Sequence, residues 1–175
     1  MQLLVMTVIG TDRPGLVEML ADLVASHGGN WLESRLSHLG GQFAGMLRVQ
    51  IPEERVAALS GELKNLSARG LTVVIQSDVA AAEEKSRSTA ILELVGSDRP
   101  GIVQQISSAL AGKGINVEEL DTELVSAPMS GEMLFKAHAR LHIPASCSLS
   151  ELRSELEKIA QDLFVDVSLQ PVNVS

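Results

Sequence analysis

Tyrosine is absent from this sequence of 175 residues, tryptophan occurs once and phenylalanine three times. A core built from such a chain must be assembled from Leu, Val, Ile, Ala and Met, which the 45% hydrophobic content supplies. The scarcity also argues against an RNA-reading sheet, which stacks bases on aromatic side chains of its central strands. Neither residues 3–9 nor residues 90–95, the two candidate central strands, contain one. Cysteine occurs once, at Cys147, so no intramolecular disulfide can form, and that usage fits a reducing compartment. Basic residues are outnumbered 22 to 14, for a formal net charge of −8. Such a balance opposes direct nucleic-acid binding, which rests on phosphate neutralisation. No apolar run approaches the length of a membrane span, and Met1 leads into a strand pattern with no basic leader before it. The expectation is a cytoplasmic protein with no membrane or nucleic-acid partner. Phosphate loops, dinucleotide fingerprints, nucleophile elbows and zinc motifs are all missing. No acid–base or nucleophile constellation repeats, so a stand-alone enzyme is not expected.

What is present is said twice. Residues 8–17 read VIGTDRPGLV and residues 94–103 read LVGSDRPGIV, a constant offset of 86. A repeat of that length and register signals two copies of one unit of roughly 80 residues, each just large enough for a core. The expected division is a first domain over 1–76, a polar linker over 77–89 whose Ala-Glu-Lys content suits a helical turn or two, and a second domain over 90–175.

Each copy reads β-α-β-β-α-β. In the first, an apolar strand reaches Ile9 and a helix follows from Pro14 to the Gly28-Gly29 stop. Strands are expected over 32–38 and 43–51, the latter with Phe43, Gly45, Leu47, Val49 and Ile51 on one side. A helix over 53–68 closes at Gly70, and a strand covers 71–76. The second copy repeats this with a helix from Pro100 to Lys113, a hairpin about six residues longer around Pro128, and a capping-box pattern Ser148-x-x-Glu151. Its last strand is expected to start at Phe164. The fold class is α+β: two ferredoxin-like βαββαβ domains, each a four-stranded antiparallel sheet with two helices on one face. Leu20, Leu23, Leu59, Leu63, Ile106, Leu110, Leu156 and Ile159 are expected to be buried.

The repeated stretch lies between a strand and a helix. Proline suits the first helical position and pushes its predecessor out of the α region, which places the helix starts near Pro14 and Pro100. Arg13 and Arg99 then fall at the caps, Asp12 and Asp98 just outside, and Gly10 and Gly96 let the backbone bend and approach closely. A helix N-terminus with free N–H groups beside a carboxylate can hold a small zwitterion, amides on its carboxylate and Asp on its ammonium. A purely structural βα turn would need the same residues. Elsewhere, His138 and His142 share a strand face with Arg140 between them, a cation that opposes a metal there. Cys147 has no His near it in sequence and reads as an ordinary thiol.

Two βαββαβ copies with G-x-D-R-P-G at the first turn and G-x-N after the first helix (Asn30, Asn116) resemble the ACT domain family, over nearly the whole chain. A chain made only of two such domains is similar to the glycine cleavage system transcriptional repressor family. The resemblance implies a ligand between the first βα turn of one domain and a neighbouring domain. It assigns the ligand-binding set Gly10, Asp12, Arg13, Pro14, Gly15 and Asn30, with Gly96, Asp98, Arg99, Pro100, Gly101 and Asn116. Asn can donate and accept at once, which suits a zwitterion. Copy one departs from the pattern with Gly29-Asn30-Trp31 where copy two has Ile115-Asn116-Val117, and Trp31 is expected to crowd its site. The implied function is non-enzymatic: a small amino acid, glycine foremost, is sensed, and transcription of glycine cleavage genes is repressed by contact with a DNA-binding activator. No cofactor or metal is implied, and a homo-oligomer stays open. The alternative is a separate ACT-type regulatory subunit of an amino-acid metabolic enzyme.

Overall fold

The computed structural model describes residues 1–78 and 88–172. The expected helical turns of the polar segment lie outside the described residues. Two compact units divide near residue 81, each with its own apolar core.

The first unit runs β1 (Gln2–Thr11), α1 (Leu16–Ser26), β2 (Asn30–Leu39), β3 (Gln42–Ile51), α2 (Val56–Asn65, flanked by short 3₁₀ turns) and β4 (Leu71–Ser77). The second runs β5 (Ser88–Ser97), α3 (Ile102–Gly112), β6 (Asn116–Ser126), β7 (Met133–Ile143), α4 (Leu149–Leu163) and β8 (Val165–Pro171). The sheets have the orders β2-β3-β1-β4 and β6-β7-β5-β8, antiparallel at every pair. This is the ferredoxin-like arrangement, twice.

Strand periodicity decides what is buried. Leu4, Met6 and Val8 of β1 face the helices together with Phe43, Leu47, Val49 and Ile51 of β3, and all are buried. Helix α1 adds Leu16, Leu20 and Val24, and α2 adds Leu59 and Leu63. The second core repeats the plan with Ile102, Ile106 and Leu110 on α3 and Leu152, Leu156 and Ala160 on α4. Phe43 is the single aromatic residue in either list of buried side chains, as the composition demands. Six of the eight expected core residues are buried; Leu23 and Ile159 are half-buried and pack at the margin. Leu156→Ala should cost the second unit about 2–5 kcal/mol, the range for emptying a fully enclosed leucine site. A shift of the urea midpoint with unchanged slope would report it.

Several boundaries differ from the sequence expectation, and the following have a physical reason. Ser88 and Thr89 are part of β5, because they pair with Ile143 and His142 and Thr89 accepts the Val172 N–H at 2.8 Å. Phe164 is not the first residue of the last strand. It caps α4 in the left-handed region (φ 55°), and β8 begins one residue later. The helices after the repeated turn start at Leu16 and Ile102, two residues beyond each proline. The Ser148 cap is present, its hydroxyl accepting the Glu151 N–H at 3.5 Å.

Candidate functional site: the repeated strand-to-helix turns

The delayed helix starts come from the glycine, not the proline. Gly15 (φ 88°, ψ 0°) and Gly101 (φ 95°, ψ −5°) take the values of the third residue of a type II turn, which needs positive φ and favours proline just before it. Each glycine is the helix N-cap, its carbonyl accepting from Met19 or Gln105 at 2.9 Å. The N–H groups of residues 16–18 and 102–104 are left without intrahelical acceptors.

The first glycine of each motif has a different role. A Cβ on Gly10 would collide with the Gly70 carbonyl oxygen, and one on Gly96 would stand 2.6 Å from the Phe164 carbonyl oxygen. Both glycines admit the left-handed cap that ends the second helix of their unit, which is Gly70 in one copy and Phe164 in the other. The arginines engage the same corner. Arg13 donates from Nη2 to the Arg69 carbonyl at 3.0 Å, and the Arg99 guanidinium lies 4.4 Å from the Phe164 ring centroid. Stacking of that kind contributes about 0.5–1 kcal/mol at an exposed site.

The aspartates are held by their main chain and differ in their side chains. The Asp12 N–H donates to the Gly41 carbonyl at 3.0 Å, and that of Asp98 to the Met133 carbonyl at 3.2 Å, so each turn is pinned to its hairpin. The Asp12 carboxylate meets His38 Nδ1 at 2.6 Å. At the equivalent place in the second unit stands Leu124: His38 pairs with Phe43, and Leu124 with Phe135. Among the described residues, the Asp98 carboxylate has no side-chain partner. His38 lies outside the repeated motif, and the signal for it in the sequence is the difference between His38 and Leu124 at the repeat offset.

Asn30 and Asn116 are not brought to the turns of their own units. Asn30 pairs with Gln50, whereas the turn follows Thr11, which pairs with Gln42. Eight residues along β3 separate those rows, about 26 Å at the usual rise per residue. Asn116 and Asp98 are separated in the same way along β7, between His142 and Leu134. One small amino acid cannot touch both residues of a pair within one unit. Trp31 lies at the Asn30 end as well, half-buried against the core, so it does not crowd the turn of its unit. His138 and His142 lie on the face of the sheet without helices, where His142 Nε2 is 3.3 Å from Glu118 and Arg140 is 3.4 Å from Glu119. Among the described residues, no group of three or more His, Cys, Asp or Glu is placed to hold a metal ion.

Two βαββαβ units in tandem, each carrying the same turn against the end of its second helix, define a double ferredoxin-like protein. The ACT domain model matches residues 2–76 and 88–170, and the chain belongs to that family. Over its full length it is homologous to the glycine cleavage system transcriptional repressor of Escherichia coli, 23% identical across 98% of this chain and 91% of that one. A crystal structure of an unknown protein from Galdieria sulphuraria superposes with a TM-score of 0.83 at 28% identity, covering 98% of this chain and 99% of the other. The crystal structure of a putative glycine cleavage system transcriptional repressor gives 0.69 at 21% identity over 99% of this chain and 98% of the other. These relationships mark a regulatory protein. No helix among the described residues is long and apolar enough to cross a membrane.

Proposed function

We propose that the chain senses a small amino acid, glycine foremost, and represses transcription by binding a DNA-binding activator rather than DNA. The observation that carries the reading is whole-length homology to a transcriptional repressor in a chain whose charge of −8 opposes contact with phosphates. The ligand is assigned to the second unit's turn. Its carboxylate would take the N–H groups that open α3, and Asp98 would take its ammonium. Asp12 serves less well because His38 already occupies it. Asn30 and Asn116 enter this reading only as groups supplied by a neighbouring unit or copy.

Calorimetry with glycine, serine and alanine tests the ligand, and affinity capture with and without glycine tests the partner. The expected results are binding of glycine and recovery of a DNA-binding regulator. Binding of none of the three removes the ligand. Recovery of a metabolic enzyme instead replaces the transcriptional role with that of a regulatory subunit.

A further inference from the structure

The end of α4 carries a residue that the fold alone does not require. Phe164, at φ 55°, is the single non-glycine residue with a left-handed backbone among the described residues. In the first unit glycine fills the same cap, at Gly70, and glycine would fill this one without strain. The Phe164 side chain is 67% exposed, so burial does little to offset the strain. Its ring meets the Arg99 guanidinium 4.4 Å from the centroid. A left-handed backbone costs a phenylalanine more than an exposed stack contributes. Strain kept under those conditions points to a function for the side chain.

The two turns differ in what their charged side chains are free to do. In the first, both are engaged within the protein: Asp12 meets His38, and Arg13 donates to the Arg69 carbonyl. In the second, among the described residues, neither the Asp98 carboxylate nor the Arg99 guanidinium has a hydrogen-bonding or ionic partner. A guanidinium held through its face keeps its N–H edge available, and that edge matches a carboxylate. We propose that Phe164 is a positioning residue for the ligand of the second turn. It holds Arg99 so that the guanidinium receives the ligand carboxylate alongside the N–H groups that open α3, while Asp98 takes the ammonium. This role rests on the assignment of a small amino acid to that turn. It also narrows the ligand class to free amino acids, because glycinamide keeps the ammonium and lacks the carboxylate.

The test is calorimetry on the full chain with glycine and glycinamide, paired with urea unfolding. Phe164→Gly should lower glycine affinity by about three- to fivefold, the worth of an exposed stack. Its urea midpoint should stay at or above that of wild type, since glycine relieves the backbone. Its preference for glycine over glycinamide should shrink in proportion. Phe164→Tyr keeps the ring and should bind as wild type does. In an Arg99→Ala background, Phe164→Gly should change affinity no further, because the ring acts through the guanidinium. Phe164→Asn, which also suits a left-handed backbone, serves if Phe164→Gly does not fold. Wild-type affinity in either folded variant overturns the proposal. So does a loss that persists without Arg99, one that Phe164→Tyr shares, or one that comes with a lower urea midpoint. These results leave the ligand at the turn. A wild type that binds none of glycine, serine and alanine removes the ligand itself, and this role with it.

Discussion

Gly10→Ala is expected to destabilise the first unit by about 2–4 kcal/mol, more than most single substitutions. The added methyl would meet the Gly70 carbonyl oxygen, with the Leu71 Cα 3.2 Å away. Both are backbone atoms at the start of β4, so no side-chain rotation relieves the collision. The cap, the last strand or β1 must move, and β1 and β4 are paired from Gly10–Leu71 to Leu4–Ser77. Gly96→Ala should act alike in the second unit, where a Cβ would lie 2.6 Å from the Phe164 carbonyl oxygen and the Val165 Cα. Gly61→Ala provides the contrast. It lies inside α2 with nothing within 4 Å of the new methyl, and it should stabilise by about 0.5–1 kcal/mol through helix propensity. Urea unfolding reads all three. A Gly10→Ala protein as stable as wild type would remove the close approach as the reason for this glycine.

Asp98→Ala should lower glycine affinity by about ten- to hundredfold, equivalent to roughly 1.5–3 kcal/mol for a hydrogen bond to a charged group. Asp12→Ala should change it by less than about threefold, because that carboxylate is engaged by His38 at an exposed site. Calorimetry on both variants, with circular dichroism to confirm folding, distinguishes the two turns. Unchanged affinity in folded Asp98→Ala would move the site away from the second turn. Asn116→Ala carries separate information, since its own turn lies at the other end of the sheet. A loss as large as that of Asp98→Ala would mean that Asn116 of another copy touches the ligand.

The repeat made the architecture legible. Once VIGTDRPGLV and LVGSDRPGIV were aligned, alternation in β3 and β7 and helical spacing in α2 and α4 assigned faces that the buried residues match. What stayed hidden was set by tertiary contact. Phe164 looks like a strand residue by type, but its left-handed backbone follows from the end of α4 meeting Gly96. Pro14 looks like a helix start by propensity, but the type II turn assigns that part to the pair of Pro14 and Gly15 and delays the helix. The separation of Asn116 from Asp98 could not be read from spacing along the chain, because it depends on β5 and β6 running in the same direction with β7 between them. The Asp12–His38 contact likewise needs the β2–β3 hairpin to fold back beside the turn.

The position of β1 in the sheet has a consequence for biosynthesis. It leaves the ribosome before the other strands of its unit and is a central one, flanked by β3 and β4. β3 begins about 30 residues after β1 ends, and β4 about 60 residues after, so one side of an apolar strand waits roughly 3–12 s at ordinary elongation rates. Hairpins close in microseconds, so translation rather than pairing sets the pace of the first unit. The nascent chain must keep an unsatisfied edge away from its neighbours throughout that interval. The second unit meets the same delay again, by which time the first has all its strands.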